Sequence, residues 1–70
     1  MEMDIIKAIE ILAPHEGGSV DSGVAYEFAM YVNIGSAPAT QKPKTHADRL
    51  HNRACSYARE YIQTGKIEQI

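Results

Sequence analysis

Five basic side chains crowd one short stretch of this 70-residue chain: Lys42, Lys44, His46, Arg49 and Arg53. A helix starting near residue 45 gathers them around its first turns. Unpaired backbone N–H groups there carry a partial positive charge. Arg49 and Arg53 stand four apart with like charge, which costs an isolated helix a few tenths of a kcal/mol. An anionic partner removes that cost. The chemistry on offer is anion recognition, toward carboxylates of a protein surface or phosphates of a small molecule or nucleotide. The plainer alternative is a solvated basic face answered by the acidic half of the same chain. No glycine-rich phosphate loop accompanies the cluster.

A second pair, His51 and Cys55, has helical spacing usable for zinc, or for a nucleophile and its base. Zinc needs four ligands, and His15 or His46 would have to fold in from elsewhere. No oxyanion-hole motif is visible, and a chain this small can hardly enclose a substrate cleft. His51 therefore reads as a hydrogen-bonded core or interface histidine and Cys55 as a buried small hydrophobe. Neither metal nor cofactor is expected, and no turnover.

For DNA, Arg49 and Arg53 would sit early in a recognition helix. The preceding connector is too long for a helix-turn-helix, and the net charge of −2 opposes phosphate binding. DNA is the weakest of the three ligand readings. The four tyrosines stand beside a single phenylalanine. Tyr26 and Tyr31 are the first candidates for a contact surface, since tyrosine combines apolar area with a polar tip.

Positioning these groups requires three helices, at about residues 4–13, 20–34 and 45–64. The last is best specified: Thr45 and Asp48 have capping-box spacing, and Gly65 supplies the left-handed stop. Ala47, Leu50, His51, Ala54, Tyr57, Ala58, Tyr61 and Ile62 share one face at steps of three and four. In the first helix Asp4 is the cap. Ile5, Ile9, Leu12 and Ala13 face inward, Ile6 and Ile11 lie at the edges, and Pro14 pushes Ala13 out of the helical region. His15-Glu16-Gly17-Gly18 then reads as a mobile turn.

The middle segment carries two periods. Val20, Val24, Phe28, Tyr31 and Val32 mark a helical stripe. Val24 to Ile34 also alternates as a half-buried strand would, which keeps a strand at 24–34 as the alternative. Ala25, Glu27, Ala29 and Met30 favour helix. Such a helix is apolar nearly all round, so it is expected to be buried on every side, against a second subunit (in a homodimer or larger oligomer) or a bound partner. Residues 36–44 (SAPATQKPK) read as an extended connector unfit to form core. The tail keeps Ile67 and Ile70 apolar, so it can dock.

Length bounds the rest. One domain spans 1–70, and a monomer of this size buries only about 60% of its unfolded surface. With one cysteine no internal disulfide can add stability, which leaves oligomerisation. Residues 1–40 carry −5 and residues 41–70 carry +3, so an acidic and a basic face each have the means to meet something outside the monomer. No signal peptide or membrane span is evident, and a reduced cytoplasmic setting fits.

The expected object is an all-α, three-helix homo-oligomer that binds a protein partner with an acidic surface. It would serve as a stoichiometric regulator or inhibitor. Small size, uneven charge and the lack of a catalytic motif are typical of accessory proteins of phage and other mobile elements. The alternative is a binder of a phosphorylated molecule or nucleotide between subunits. Lys42, Lys44, His46, Arg49 and Arg53 supply the cations, and Tyr26 and Tyr31 the anchors.

Overall fold

Each helix starts where a short polar side chain can close its first turn. The structure, a computed structural model, describes residues 2–68 and is all-helical over them, with no strand. Helix α1 spans Ile5–Leu12, α2 Ser22–Ile34 and α3 His46–Thr64. Asp4 caps α1 by accepting from the Lys7 N–H, and Asp21 caps α2 by accepting from those of Gly23 and Val24. At α3 the Thr45 hydroxyl accepts from the Asp48 N–H, while the Asp48 carboxylate accepts from the N–H groups of Lys44 and Thr45. Caps of this kind stabilise a helix by about 1 kcal/mol each. Gly35 and Gly65 end α2 and α3 at φ 86° and 78°, where a Cβ would strain the backbone.

The strand alternative for residues 24–34 is thus overturned: the segment is helix throughout. Alternation of apolar residues was equally compatible with a helix apolar on most sides, and local propensity decided. α2 lies between the other two helices and touches both, while α1 and α3 do not approach each other closely. Its buried face presents Val24, Ala25, Phe28 and Ala29. Phe28 is fully buried and meets the Tyr61 ring edge-on at 5.6 Å. Ala8 and Leu12 of α1 and Ala54, Cys55, Tyr57 and Ala58 of α3 complete the core.

Four details of the sequence reading need correction. In α1 the buried positions are Ala8 and Leu12, whereas Ile5 and Ile9 are 40% and 39% exposed. Ala25 and Ala29 are buried on α2, the helix that α1 packs against. α1 therefore turns its Ala8 and Leu12 face to the core and leaves the isoleucines at the edge.

Second, Ala13 remains right-handed helical although a proline follows it. The chain runs on into a 3-10 turn, Ala13–His15, with Pro14 in its first turn, where the missing N–H is not needed. Third, Ala47 is exposed and Ile62 38% exposed, so the inner face of α3 is narrower than its periodicity implied. Fourth, the connector does contribute to the core: Ala37 is buried in it and Ala39 packs against it. Ile67 also packs on the core, and Ile70 lies outside the described residues.

Candidate functional site

The segment 37–40 is strapped to α3 by side chains that treat its backbone as a ligand. Arg59 donates from Nε to the Ala37 carbonyl at 2.7 Å. Asn52 donates to the Thr40 carbonyl at 2.9 Å and accepts the Thr40 N–H at 2.8 Å. His51 Nε2 lies 3.2 Å from the Pro38 carbonyl oxygen. Proline can donate no N–H of its own, so an extended Pro-containing segment depends on such outside partners.

This strap fixes where the basic residues stand. Lys42, Lys44, His46 and Arg49 are all exposed around the start of α3. Among the described residues no ion pair ties Lys42, Lys44 or Arg49 to a carboxylate. Lys42 holds φ at 55°, a left-handed conformation that costs a residue with a side chain about 1 kcal/mol. Asp48 sits at the helix start itself. The backbone N–H groups of Lys44 and Thr45 lower its pKa by hydrogen-bonding the charged form. Its carboxylate takes the Thr45 N–H and sets a negative charge beside this terminus, which opposes a phosphate there.

Arg53 does not join the outward group. Its Nη1 donates to Glu16 Oε1 at 3.1 Å, and the second oxygen of that carboxylate accepts the Tyr57 hydroxyl at 2.6 Å. Glu16 is only 11% exposed, so the turn before α2 is pinned to α3 and is not the mobile element its glycines suggested. Burial, with Glu16 beside it, pushes the Tyr57 pKa up to about 12.

Of the two tyrosines, Tyr26 is 61% exposed on the outer side of α2. Tyr31 is half-buried, stacked edge-on against His51 at 5.7 Å. The structure therefore leaves Lys42, Lys44, His46 and Arg49 exposed about the start of α3 and Tyr26 exposed on a different helix. A cleft of about 360 Å³ opens between the start of α1 and Val32 and Tyr61, with Glu2, Asp4 and Lys7 at its rim. It lies apart from the cations.

His51 and Cys55 do come together. His51 Nδ1 is 2.5 Å from Glu27 Oε1, and Cys55 Sγ is 3.6 Å from Nε2. The order carboxylate, imidazole, thiol is that of a nucleophile relay. Its surroundings are those of a structural joint. Cys55 is fully buried, and desolvation pushes its thiol pKa up, opposite to what an activated thiolate requires. Among the described residues no three potential ligands cluster for a metal.

Both His51 nitrogens face acceptors, a carboxylate and a carbonyl, and only the imidazolium donates to both. The Glu27 hydrogen bond is the main reason that the His51 pKa is raised, with the Pro38 carbonyl adding to it and desolvation opposing. A raised pKa means that this stabilisation is complete at pH below the unfolded value of about 6.5 and is lost as pH climbs through the folded value. Thermal melts should accordingly show Tm falling from about pH 6.5 upward, where histidine ordinarily titrates. The Glu27→Gln variant should flatten that slope, since the carboxylate that favours the charged ring is gone.

Sequence patterns had singled out the cations and His51, but not Glu16, Glu27, Asn52 or Arg59. These pair with residues 12 to 41 positions away, and no local pattern marks them. No helix among the described residues is long and apolar enough to cross a membrane. Compared with known protein families, curated proteins and solved structures, the chain matches none.

Proposed function

We propose that this chain is a small non-enzymatic binding protein, a stoichiometric regulator or inhibitor that engages an acidic protein surface through Lys42, Lys44, His46 and Arg49. The observation that carries this reading is the contrast with Arg53. That arginine is matched to Glu16, whereas Lys42, Lys44 and Arg49 project outward with no carboxylate among the described residues. Long cations held on a capped helix and a strapped connector lose less freedom on binding than cations on a flexible loop. Asp48 favours a surface over a small phosphate as the ligand, because its carboxylate occupies the helix start. The acidic first half disfavours nucleic acid for the same electrostatic reason.

Self-association through the apolar second helix belongs to the same reading, with Tyr26 and Ile34 exposed on its outer side. So does a reduced, cytoplasmic setting, which suits an unpaired buried cysteine.

Lys42 offers a separate check. Glycine at that position relieves the left-handed strain, so Lys42→Gly should stabilise the fold by about 0.5–1 kcal/mol in urea melts. It should weaken partner binding at the same time.

The reading is tested with the immobilised chain and its Lys42→Glu/Lys44→Glu/Arg49→Glu variant, run side by side over cell extract. An acidic protein retained by the first and lost from the second supports it. Retained nucleic acid, or proteins held equally by both, contradicts it. A nucleotide that raises the melting temperature of the unmodified chain would transfer the site to a small anion.

A further inference from the structure

The imidazole of His51 stands where α2, α3 and the connector meet. It belongs to α3. Its Nδ1 lies 2.5 Å from Glu27 Oε1 of α2, and its Nε2 lies 3.2 Å from the Pro38 carbonyl oxygen of the connector. Cys55 Sγ, one turn further along α3, is 3.6 Å from the same Nε2. Two groups thus compete for Nε2, and they need opposite things of it. The carbonyl can only accept, so it needs a proton on that nitrogen. The thiol has a proton to give, so it needs the lone pair. Which of them is engaged depends on the charge of the ring.

We propose that His51 is a proton-operated latch: charged, it holds the connector by the Pro38 carbonyl, and neutral, it releases that carbonyl and takes the Cys55 thiol instead. The latch goes beyond the binding reading and does not rest on it. Glu27 decides which nitrogen gives up its proton. A carboxylate is a stronger acceptor than an amide carbonyl, so Nδ1 keeps its hydrogen and Nε2 loses its own to solvent. The His51 side chain is 22% exposed and Pro38 is exposed, so water reaches both. The bare lone pair of Nε2 then faces the lone pairs of the carbonyl oxygen and repels it, while the Cys55 S–H donates to the ring. Burial raises the pKa of that thiol, and also that of the Tyr31 hydroxyl whose ring meets His51 edge-on, so both stay neutral while the imidazole titrates. Glu27 above all, with the Pro38 carbonyl and Asp48 of α3, favours the charged ring, and burial opposes it. Arg59 is the cation nearest Cys55 to act on it, Lys42 and Lys44 of the connector are exposed, and α1 does not approach α3 closely. Arg59 holds Ala37 and Asn52 holds Thr40, and neither anchor titrates near neutral pH. The movement is therefore confined to Pro38 and Ala39 between them.

A pH titration of the isotope-labelled full chain, followed by NMR, tests the latch. The ring signals of His51, assigned apart from those of His15 and His46, should move with a midpoint above the ordinary histidine value, and Nε2 should be the nitrogen that loses its proton. The Pro38 carbonyl carbon and the Ala39 amide nitrogen bonded to it should move with that same midpoint. Cys55→Ala removes the donor that favours the neutral ring, so the proton affinity of His51 should rise about threefold. Cys55→Ser supplies a stronger donor and should lower it by about as much. A cysteine that only fills space predicts no such opposite shifts. Glu27→Gln keeps the size of a partly exposed side chain and should lower the affinity at least about tenfold, which holds the test open if a Cys55 variant fails to fold. Pro38 and Ala39 signals that stay still while His51 titrates overturn the latch. So does loss of the proton from Nδ1, or a midpoint that Cys55→Ala leaves in place or lowers.

Discussion

Phe28→Ala should unfold this protein or bring it to the edge of unfolding at room temperature. Phe28 is the largest fully buried side chain, it sits on the helix that touches both others, and its ring meets Tyr61 edge-on. Removing a buried phenylalanine costs about 3–5 kcal/mol, part lost transfer energy and part the cavity left behind. The neighbours are in large measure alanines, which cannot swing in to fill the space. A domain of this size has only about 5 kcal/mol or so to lose. Urea titration followed by circular dichroism should show the midpoint collapsing toward zero denaturant. Phe28→Leu, which keeps most of the volume, should retain a cooperative transition at lower midpoint.

Glu16→Ala should produce the next largest loss, about 2–3 kcal/mol by the same measurement. Its carboxylate accepts from both Arg53 and Tyr57 and is nearly buried, so truncation leaves a buried hydroxyl with only a long 3.5 Å contact to the His15 carbonyl. Arg53 is half exposed and can turn to water, which keeps the cost below that of breaking a fully buried pair. Glu16→Gln retains an acceptor for Tyr57 and should cost about 1 kcal/mol. Both substitutions release Arg53 toward the neighbouring cations. Binding of an acidic partner should then tighten modestly even as the fold weakens. A purely structural role for the basic group predicts no such gain.

The parts of this fold that were legible in the sequence are those written in near neighbours. The Thr45–Asp48 capping box and the Gly65 stop involve residues within four positions of one another, and both stand as their spacing implied. Lys42, Lys44, His46 and Arg49 stand exposed about that same helix start. What periodicity could not reveal is which apolar face wins. In α1 it favours Ile5 and Ile9, yet the face turned to the core is that of Ala8 and Leu12. Hydrophobicity ranks isoleucine above alanine, but the face that packs is set by the neighbouring helix, which the local pattern does not contain.

Long-range polar partners left no trace either. His51 was recognisable as a histidine on an apolar face, but Glu27 and the Pro38 carbonyl, which both favour its charged form, lie 24 and 13 residues away. Arg53 looked like any other member of the basic cluster until Glu16 came round from the other end of the chain. The connector misled for a related reason. Its composition argued against a place in the core, whereas Asn52 and Arg59, which belong to another element, hold its backbone there.

The most direct test of the binding role is a calorimetric titration of the retained acidic protein with this chain, repeated across ionic strengths. A saturable complex of fixed stoichiometry is the predicted result. Its affinity should fall steadily with added salt and drop at least about tenfold in the Lys42→Glu/Lys44→Glu/Arg49→Glu variant. Affinity that ignores both salt and the three reversals would contradict the account, because the exposed cations at the start of α3 would then have no part in what this protein holds.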